Sequence, residues 1–163
     1  MPSDEVDEAL INAAMAVSRS LVAITVRSIS SAPVEITVPQ FRALVLLEER
    51  QPMTMAEIAT ELGLSPSSCT RLVERLERKS FVSRQPSSVS RRNVDVRLEP
   101  AGDALVASVM FHRRRELIRL LADIEESKVA SVQEAFAIVA RLAGEAIDVN
   151  SSIAGTDPES AAD

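Results

Sequence analysis

The chain has 163 residues, of which 46% are hydrophobic and 26% are charged, which is typical of a globular protein with one hydrophobic core. It has no Trp, no Tyr and only four Phe. An aliphatic chain of this kind packs most readily as helices. The composition also argues against a binder of single-stranded nucleic acid, because base stacking requires aromatic side chains. These features predict a mostly helical protein.

The charge of the chain is unevenly distributed. The formal net charge is −6, but residues 71–97 contain eight basic and three acidic residues, a net charge of +5, whereas the rest of the chain carries −11. A basic segment in an acidic protein can bind phosphate groups locally while the remainder limits nonspecific association. The charge therefore permits a nucleic-acid partner.

Three features bear on the cellular location. No stretch is expected to approach the roughly 20 apolar residues of a membrane span. Residues 1–5 are acidic and lack the basic region of a signal peptide. Cys69 is the only cysteine, so an internal disulfide cannot form. We therefore predict a cytoplasmic protein with no membrane association.

The first segment is predicted to be a long helix over residues 5–30. Apolar residues recur at helical spacing: Leu10, Ala13, Ala14, Val17, Leu21 and Ile24. Polar residues are sparse between them, so more than one face of the helix is expected to be buried. A single domain rarely buries a terminal helix on all sides, whereas a partner chain can. We predict a dimerisation region formed by residues 1–36 and 123–149.

Three helix-start signals follow a loop at residues 31–36. They are Thr37 with Gln40, Thr54 with Glu57, and Ser65 followed by Pro66. The first two fit the capping box, and the third places an N-cap before a proline at the first helical position. Gly63 precedes the third start, where a tight turn requires positive φ. The spacing predicts short helices joined by short turns.

Residues 55–80 are predicted to form two helices around the turn at Gly63. In the second helix, apolar residues recur at three- and four-residue spacing: Cys69, Leu72, Val73 and Leu76. The opposite face then carries Ser67, Ser68, Thr70, Arg71, Glu74, Arg75 and Arg78. A basic helix face with short hydroxyl side chains suits the major groove of DNA. A solvated charged face explains the same pattern when it is considered alone.

Residues 82–84 and 94–98 alternate with a period of two and predict a β-hairpin. Its polar connection places Arg91 and Arg92 at the tip. A basic hairpin one element beyond a candidate recognition helix has the layout of a wing, which enters the minor groove or contacts the DNA backbone. The two features together favour DNA binding over an exposed basic turn.

The remaining elements are helical. A helix is predicted from Pro100 to about Ala122 and another over residues 126–149, followed by a disordered acidic tail at 150–163. The predicted fold is thus mostly α with a small β-hairpin wing. It comprises a winged helix-turn-helix DNA-binding domain at residues 37–102, a connecting helix at 103–122 and the helical dimerisation region.

The order of these motifs resembles the multiple antibiotic resistance regulator (MarR) family. The matching segments are TVPQF at 37–41, LGLSPS at 62–67, TRLVERLE at 70–77, SRR at 90–92 and LEPAG at 98–102. Two positions depart from the family pattern: Ser90 replaces an acidic residue before the wing arginines, and Glu99 replaces a capping Thr. The resemblance covers residues 5–149.

This resemblance implies a two-fold dimer made by the first and last helices, with the helix from Ser65 in the major groove and Arg92 in the minor groove. It also implies a repressor that is released by a small-molecule effector or by oxidants. The partners are then a pseudo-palindromic double-stranded operator and a second copy of the chain. The candidate DNA-binding residues are Ser65, Ser67, Ser68, Thr70, Arg71, Arg75, Arg78, Arg84, Arg91 and Arg92.

Few other residues suggest chemistry. Cys69 fills a core-facing position and is interpreted as a small hydrophobic residue, with a redox-responsive regulator as the alternative. His112 is the only histidine, and a zinc site would need more ligands, so no metal or cofactor is expected. The neighbouring cluster of Arg113, Arg114 and Arg115 is either solvated or lines a site for an acidic effector.

We find no catalytic motif and predict that the protein is not an enzyme. The competing function is a helical protein-interaction module, such as a regulator that has lost DNA binding.

Overall fold

The computed structural model describes residues 7–87 and 94–144. Its elements in chain order are α1 (Glu8–Ser30), α2 (Val38–Arg50), β1 (Met53–Thr54), α3 (Met55–Leu62), α4 (Pro66–Arg78), β2 (Val82–Pro86), β3 (Val94–Leu98), α5 (Pro100–Leu121) and α6 (Glu126–Leu142). The described residues form two compact units that divide after Leu120. The predicted fold class, mostly helical with a small β-hairpin, is confirmed.

The predicted helix starts are present with their capping hydrogen bonds. Thr37 and Gln40 form a reciprocal capping box at α2, and Thr54 and Glu57 form one at α3. Each box satisfies backbone N–H groups that the first turn of a helix leaves without partners. Ser65 caps α4 by accepting a hydrogen bond from the backbone N–H of residue 68. These caps fix where the short helices begin.

The three strands form one antiparallel sheet in the order β1-β3-β2. The hairpin of β2 and β3 pairs Val82 with Leu98 and Arg84 with Val96. The sequence did not predict β1, because its two residues directly precede the helix that Thr54 caps and show no alternation. Met53 of β1 pairs with Val96, so this short strand attaches the hairpin to the helix-turn-helix.

The core of the first unit lies between the helix-turn-helix, the sheet and the beginning of α5. Its most deeply buried large side chains are Phe41, Leu44, Leu47, Ile58, Leu76, Val73, Val96, Val106 and Val109. They come from α2, α3, α4, β3 and α5, so one cluster holds the recognition helix, the wing and the connecting helix together. Burial of each such side chain contributes roughly 1.5–3 kcal/mol to folding.

Gly102, in the first turn of α5, is a point of close approach in this unit. A Cβ placed there would lie 2.3 Å from the carbonyl oxygen of Phe81 and 2.8 Å from Cδ1 of Leu98. The Phe81 carbonyl is held in place because it accepts a hydrogen bond from the backbone N–H of Glu99 at 3.0 Å. Only glycine fits between α5 and the residue that precedes the wing.

Helix α1 is apolar but little buried within the chain. Ile24, Ser28 and Ile29 are its buried residues, whereas large side chains before them are exposed: Leu10, Ile11, Met15, Val17, Leu21 and Val22. By length and composition the helix is apolar enough to cross a membrane, with a mean hydropathy of 1.7. The expectation that no segment approaches the roughly 20 apolar residues of a membrane span is therefore wrong. The reason is that only three charged residues interrupt the aliphatic sequence of α1.

The second unit contains α6, whose described residues are all at least partly exposed. Helix α6 ends at Leu142 and Gly144 follows with a φ of +79°, so the prediction of helix at residues 143 and 144 is wrong. Residues 145–149 of the predicted helix lie outside the described residues. A left-handed glycine is a common helix terminator. The predicted tail at 150–163 lies outside the described residues.

Candidate nucleic-acid interface

The turn between α3 and α4 sets the direction of the predicted recognition helix. Gly63 adopts φ +63° and ψ +35°, the left-handed conformation that residues other than glycine adopt at a cost. The backbone N–H of Leu64 then donates to the carbonyl of Ala59 at 2.8 Å, which closes the end of α3. With Ser65 as cap and Pro66 at its first position, α4 begins only three residues after α3 ends.

Helix α4 buries one side and exposes the other as its sequence predicts. Cys69, Leu72, Val73 and Leu76 are buried. The candidate DNA-binding residues on the opposite side are exposed, with Ser68 half-buried: Ser67, Thr70, Arg71, Arg75 and Arg78. Within residues 7–87 and 94–144, neither Arg71 nor Arg75 forms an ion pair. The two guanidinium groups, one helical turn apart, are thus available to an anionic partner.

The hydroxyl groups near the start of α4 form local hydrogen bonds in the free protein. The Ser65 hydroxyl donates to Oγ of Ser68 at 3.0 Å, and the Thr70 hydroxyl donates to the carbonyl of Pro66 at 2.9 Å. Ser68 in turn accepts a hydrogen bond from Arg71 at 3.4 Å. These contacts orient the first turn of α4. The Ser68 hydroxyl, which accepts two of these hydrogen bonds, keeps its own proton for a further acceptor.

A groove runs between α4 and the beginning of α2. Its volume is about 230 Å³, and Arg71 and Arg75 line it opposite Thr37 and Pro39. Lys79, at the end of α4, donates a hydrogen bond to the backbone carbonyl of Glu35 in the loop before α2. The C-terminal end of α4 is therefore held to the loop before α2. A groove lined by basic residues remains between α4 and the beginning of α2.

The wing is attached to this helix at its base. Arg84 of β2 forms an ion pair with Glu77 of α4, with 2.5 Å between Nη2 and Oε2. At the end of β3, the backbone N–H of Leu98 donates to Oε1 of Gln51 at 2.9 Å. These contacts of Glu77 and Gln51 were not predictable from the sequence, because a single acidic or amide residue carries no spacing signal for a contact across elements.

The two arginines predicted at the wing tip, Arg91 and Arg92, lie outside the described residues, as does Ser90. The strands that lead to them are described, and Pro86 pairs with Val94 at the last position of the ladder. The hairpin is thus paired along the whole of β2.

Cys69 occupies the position that its sequence spacing predicts. Its side chain is 1% exposed, and its Sγ lies 3.4 Å from the carbonyl oxygen of Met55, to which the thiol donates. Burial raises the pKa of the Cys69 thiol, which disfavours the reactive thiolate. These contacts support a structural role for this cysteine.

The substitution Cys69→Ser should therefore leave DNA affinity unchanged before and after peroxide treatment, because neither side chain is oxidised in the folded protein. A hydroxyl in the core should lower the free energy of unfolding by about 1 kcal/mol. Binding titrations with and without peroxide test this. Peroxide-induced loss of binding in the native protein but not in the variant would show that Cys69 senses oxidants.

The basic cluster on α5 is only partly solvated. Arg113 turns inward: its Cζ lies 5.7 Å from the centre of the Phe41 ring, and its Nε is buried without a hydrogen-bond partner among the described residues. Burial lowers the pKa of Arg113. Placing all three arginines on one solvated face is therefore wrong, because Arg113 packs on an aromatic ring of the core, where a cation–π contact compensates part of its desolvation.

A second polar cluster connects α1 to α5. Glu116 accepts hydrogen bonds from Arg27 of α1 at 3.2 Å and from Arg119 at 2.9 Å. These residues border a cavity of about 380 Å³ that is otherwise mostly apolar, and an adjoining cavity of about 180 Å³ brings in His112 and Arg115. In the described part of the chain, no group of three His, Cys, Asp or Glu residues could hold a metal ion.

A helix-turn-helix followed by a β-hairpin that packs against its second helix defines a winged-helix protein. The model of the MarR family matches residues 36–94, which include α2, α3, α4 and β2 and end at the first residue of β3. The solved structure of RV1404 from Mycobacterium tuberculosis is 33% identical, covers 90% of this chain and 99% of its own, and superposes with a TM-score of 0.81. The chain belongs to the MarR family.

Two curated relatives come from Bacillus subtilis (strain 168). The uncharacterized HTH-type transcriptional regulator YfiV and the HTH-type transcriptional repressor MdtR are each 29% identical. Both alignments cover 66% of this chain, and they cover 67% and 68% of the relatives. The chain thus spans about two thirds of their length. The resemblance inferred from the sequence is confirmed, and the relatives are regulators, not enzymes.

Proposed function

We propose that this protein is a transcriptional regulator that binds double-stranded DNA sequence-specifically and acts as a repressor in the cytoplasm. The observation that carries the proposal is the exposed pair of Arg71 and Arg75 on α4, beside a hairpin that is fastened to the same helix. An arginine on such a helix can form two hydrogen bonds with a guanine edge in the major groove. The wing then contacts the backbone or minor groove.

Residues 37–102 are the proposed DNA-binding domain, and residues 103–122 connect it to the dimerisation region. The proposed DNA contacts leave out Arg84, which pairs with Glu77, and comprise Ser65, Ser67, Ser68, Thr70, Arg71, Arg75, Arg78, Arg91 and Arg92. The hydroxyls of Ser65, Ser67, Ser68 and Thr70 can contact phosphates or base edges, since they lie at the start of α4, where backbone N–H groups also favour anions.

We also propose that two copies of the chain associate through α1 and α6. Exposed apolar side chains on α1 have their counterpart on α6: Val129, Phe136, Ile138, Val139 and Leu142 are all more than 40% exposed. Apolar surfaces of this extent mark interfaces. A second copy that covers them also accounts for the membrane-like hydropathy of α1, and it presents two recognition helices to a pseudo-palindromic operator.

The protein should therefore be a dimer at micromolar concentration. Static light scattering should give about twice the mass of one 17.6 kDa chain. Val139→Glu, which places a charge on the exposed apolar surface of α6, should shift the mass toward that of the monomer, whereas Glu134→Gln on the same helix serves as the control. A folded monomer of the native protein at this concentration would contradict the proposal.

The repressor is proposed to release DNA when a small organic acid binds in the cavity between α1 and α5. Arg27 and Arg119 already hold one carboxylate there, that of Glu116. A ligand carboxylate can compete for the same guanidinium groups while its apolar part contacts Ile24 and Leu120 at the wall.

Capture of fragmented DNA from the source genome tests the whole proposal. The protein should enrich fragments with inverted half-sites whose centres are about 10 base pairs apart, or a multiple of that distance. A panel of small aromatic and aliphatic carboxylates, added to the captured complex, should include one that releases DNA from the native protein and fails with Arg119→Ala. Enrichment of no sequence would refute the regulator. Equal release from both proteins would refute the effector site.

A further inference from the structure

We propose that Arg84 is a positioning residue that holds the base of the wing against the recognition helix, and that it does not contact DNA. This differs from its assignment by sequence, which counted it among the basic residues of the interface. The inference rests on the proposed function only for its DNA-binding consequences, since the contact itself is a property of the free protein.

The strand β2 places Arg84 on its inner face. Side chains two residues apart in a strand share a face, and Val82, two residues before Arg84, is 2% exposed in the core. Because the sheet order is β1-β3-β2, β2 is an edge strand that pairs with β3 on one side only. The other support for β2 comes from α4, against which it packs. Arg84 therefore points toward the helix.

The position of Glu77 on α4 is equally informative. Six residues separate it from Arg71, so at 100° per residue the two side chains lie roughly 120° apart around the helix axis. Glu77 is thus on the flank of α4 that adjoins the wing and not on the face of Arg71 and Arg75. An arginine that pairs with Glu77 is directed away from the side of α4 that carries Arg71 and Arg75.

The ion pair neutralises Arg84 where it stands. The Nη2–Oε2 distance is 2.5 Å, and the two side chains are only 34% and 36% exposed. The hydrogen bond from Arg84 to Glu77 raises the pKa of this guanidinium, with a further contribution from the carboxylate of Glu74. A guanidinium already paired with a carboxylate attracts phosphate weakly, because the phosphate would have to displace that carboxylate.

The ion pair between Arg84 and Glu77 lies at the base of the wing. Arg84 lies two residues before Pro86, the last residue of β2, and the chain continues from there to Arg91 and Arg92. A tie between β2 and α4 thereby fixes the start of the wing relative to the recognition helix. Its loss should loosen the hairpin without removing a DNA contact.

Hydrogen exchange of the free protein tests the contact without DNA. Arg84→Gln, Glu77→Gln and the double variant should each exchange the amides of β2 and β3 about two- to fivefold faster than the native protein, the range expected for a partly exposed ion pair. The double variant should be no faster than the singles. The control Glu49→Gln removes an exposed carboxylate from α2 and should leave exchange unchanged. Unchanged exchange in both single variants, or additive effects, would overturn the proposal.

Titrations with operator DNA separate positioning from phosphate contact. If Arg84 is a positioning residue, Arg84→Gln should weaken binding with little change in the salt slope. Glu77→Gln should then also bind more weakly than the control Glu49→Gln. If it contacts a phosphate, Arg84→Gln flattens the slope by about one unit, Glu77→Gln strengthens binding, and the proposal fails. Absence of DNA binding by the native protein would contradict the proposed function, and the exchange experiment would still decide the role of Arg84.

Discussion

Gly102→Ala should lower the free energy of unfolding by up to about 2 kcal/mol. The added methyl group would lie 2.3 Å from the carbonyl oxygen of Phe81, a backbone atom that a hydrogen bond from Glu99 holds in place. Overpacking a well-packed site costs about 1 to 3 kcal/mol and occasionally more. The gain of about 1 kcal/mol from the higher helix propensity of alanine offsets only part of this cost.

Urea denaturation at fixed protein concentration measures this effect, since a dimer's stability depends on concentration. The matched control is Ala101→Gly, at the neighbouring exposed position of the same helix, which should cost about 0.5 to 1 kcal/mol through propensity alone. A Gly102→Ala protein that is more stable than the native one would show that propensity outweighs the steric conflict and that α5 can move away from the wing.

Arg71→Ala or Arg75→Ala should reduce discrimination between operator and unrelated DNA. Both side chains project from the exposed side of α4, one turn apart, and at least one should form two hydrogen bonds with a base edge. The loss of such a contact costs about 1 to 3 kcal/mol, roughly 5- to 150-fold, at that base pair. Arg50→Ala is the control, because Arg50 is an exposed arginine of α2 that pairs with Glu61. Its discrimination should equal that of the native protein.

Arg92→Ala should behave differently from the α4 variants. A wing arginine responds to groove width and phosphate charge, so its loss should weaken operator and scrambled DNA together and flatten the salt dependence by about one unit. A selective loss of operator binding in Arg92→Ala would instead mean that the wing reads bases.

The helix-turn-helix was predictable because its determinants are local. The caps at Thr37, Thr54 and Ser65 and the left-handed Gly63 depend on residues within four positions of each other, and the structure contains all of them. The buried face of α4 follows from helical spacing in the same way. The exposed face of α4 was predictable too, because it consists of the residues that lie between the buried positions.

Contacts between distant elements were not predictable from spacing. Strand β1 exists because β3 offers an unpaired edge to Met53, and a two-residue strand has no period. Three consecutive arginines suggested a basic surface that includes Arg113. Consecutive residues of a helix point in different directions, however, and Arg113 packs on the ring of Phe41. The pairing of Glu77 with Arg84 was not predictable, because the sequence does not show which of the basic residues nearby contacts this carboxylate.

Whether the exposed face of α4 reads a DNA sequence is decided by one titration. The native protein and Arg71→Ala, Arg75→Ala and Arg92→Ala are titrated onto a captured operator and a scrambled duplex at several salt concentrations. We expect the native protein to prefer the operator by at least about 10³-fold, the α4 variants to lose part of that preference, and Arg92→Ala to weaken both duplexes alike. Equal affinity of the native protein for the two duplexes, unchanged in all three variants, would contradict the winged-helix account and favour a protein-interaction module.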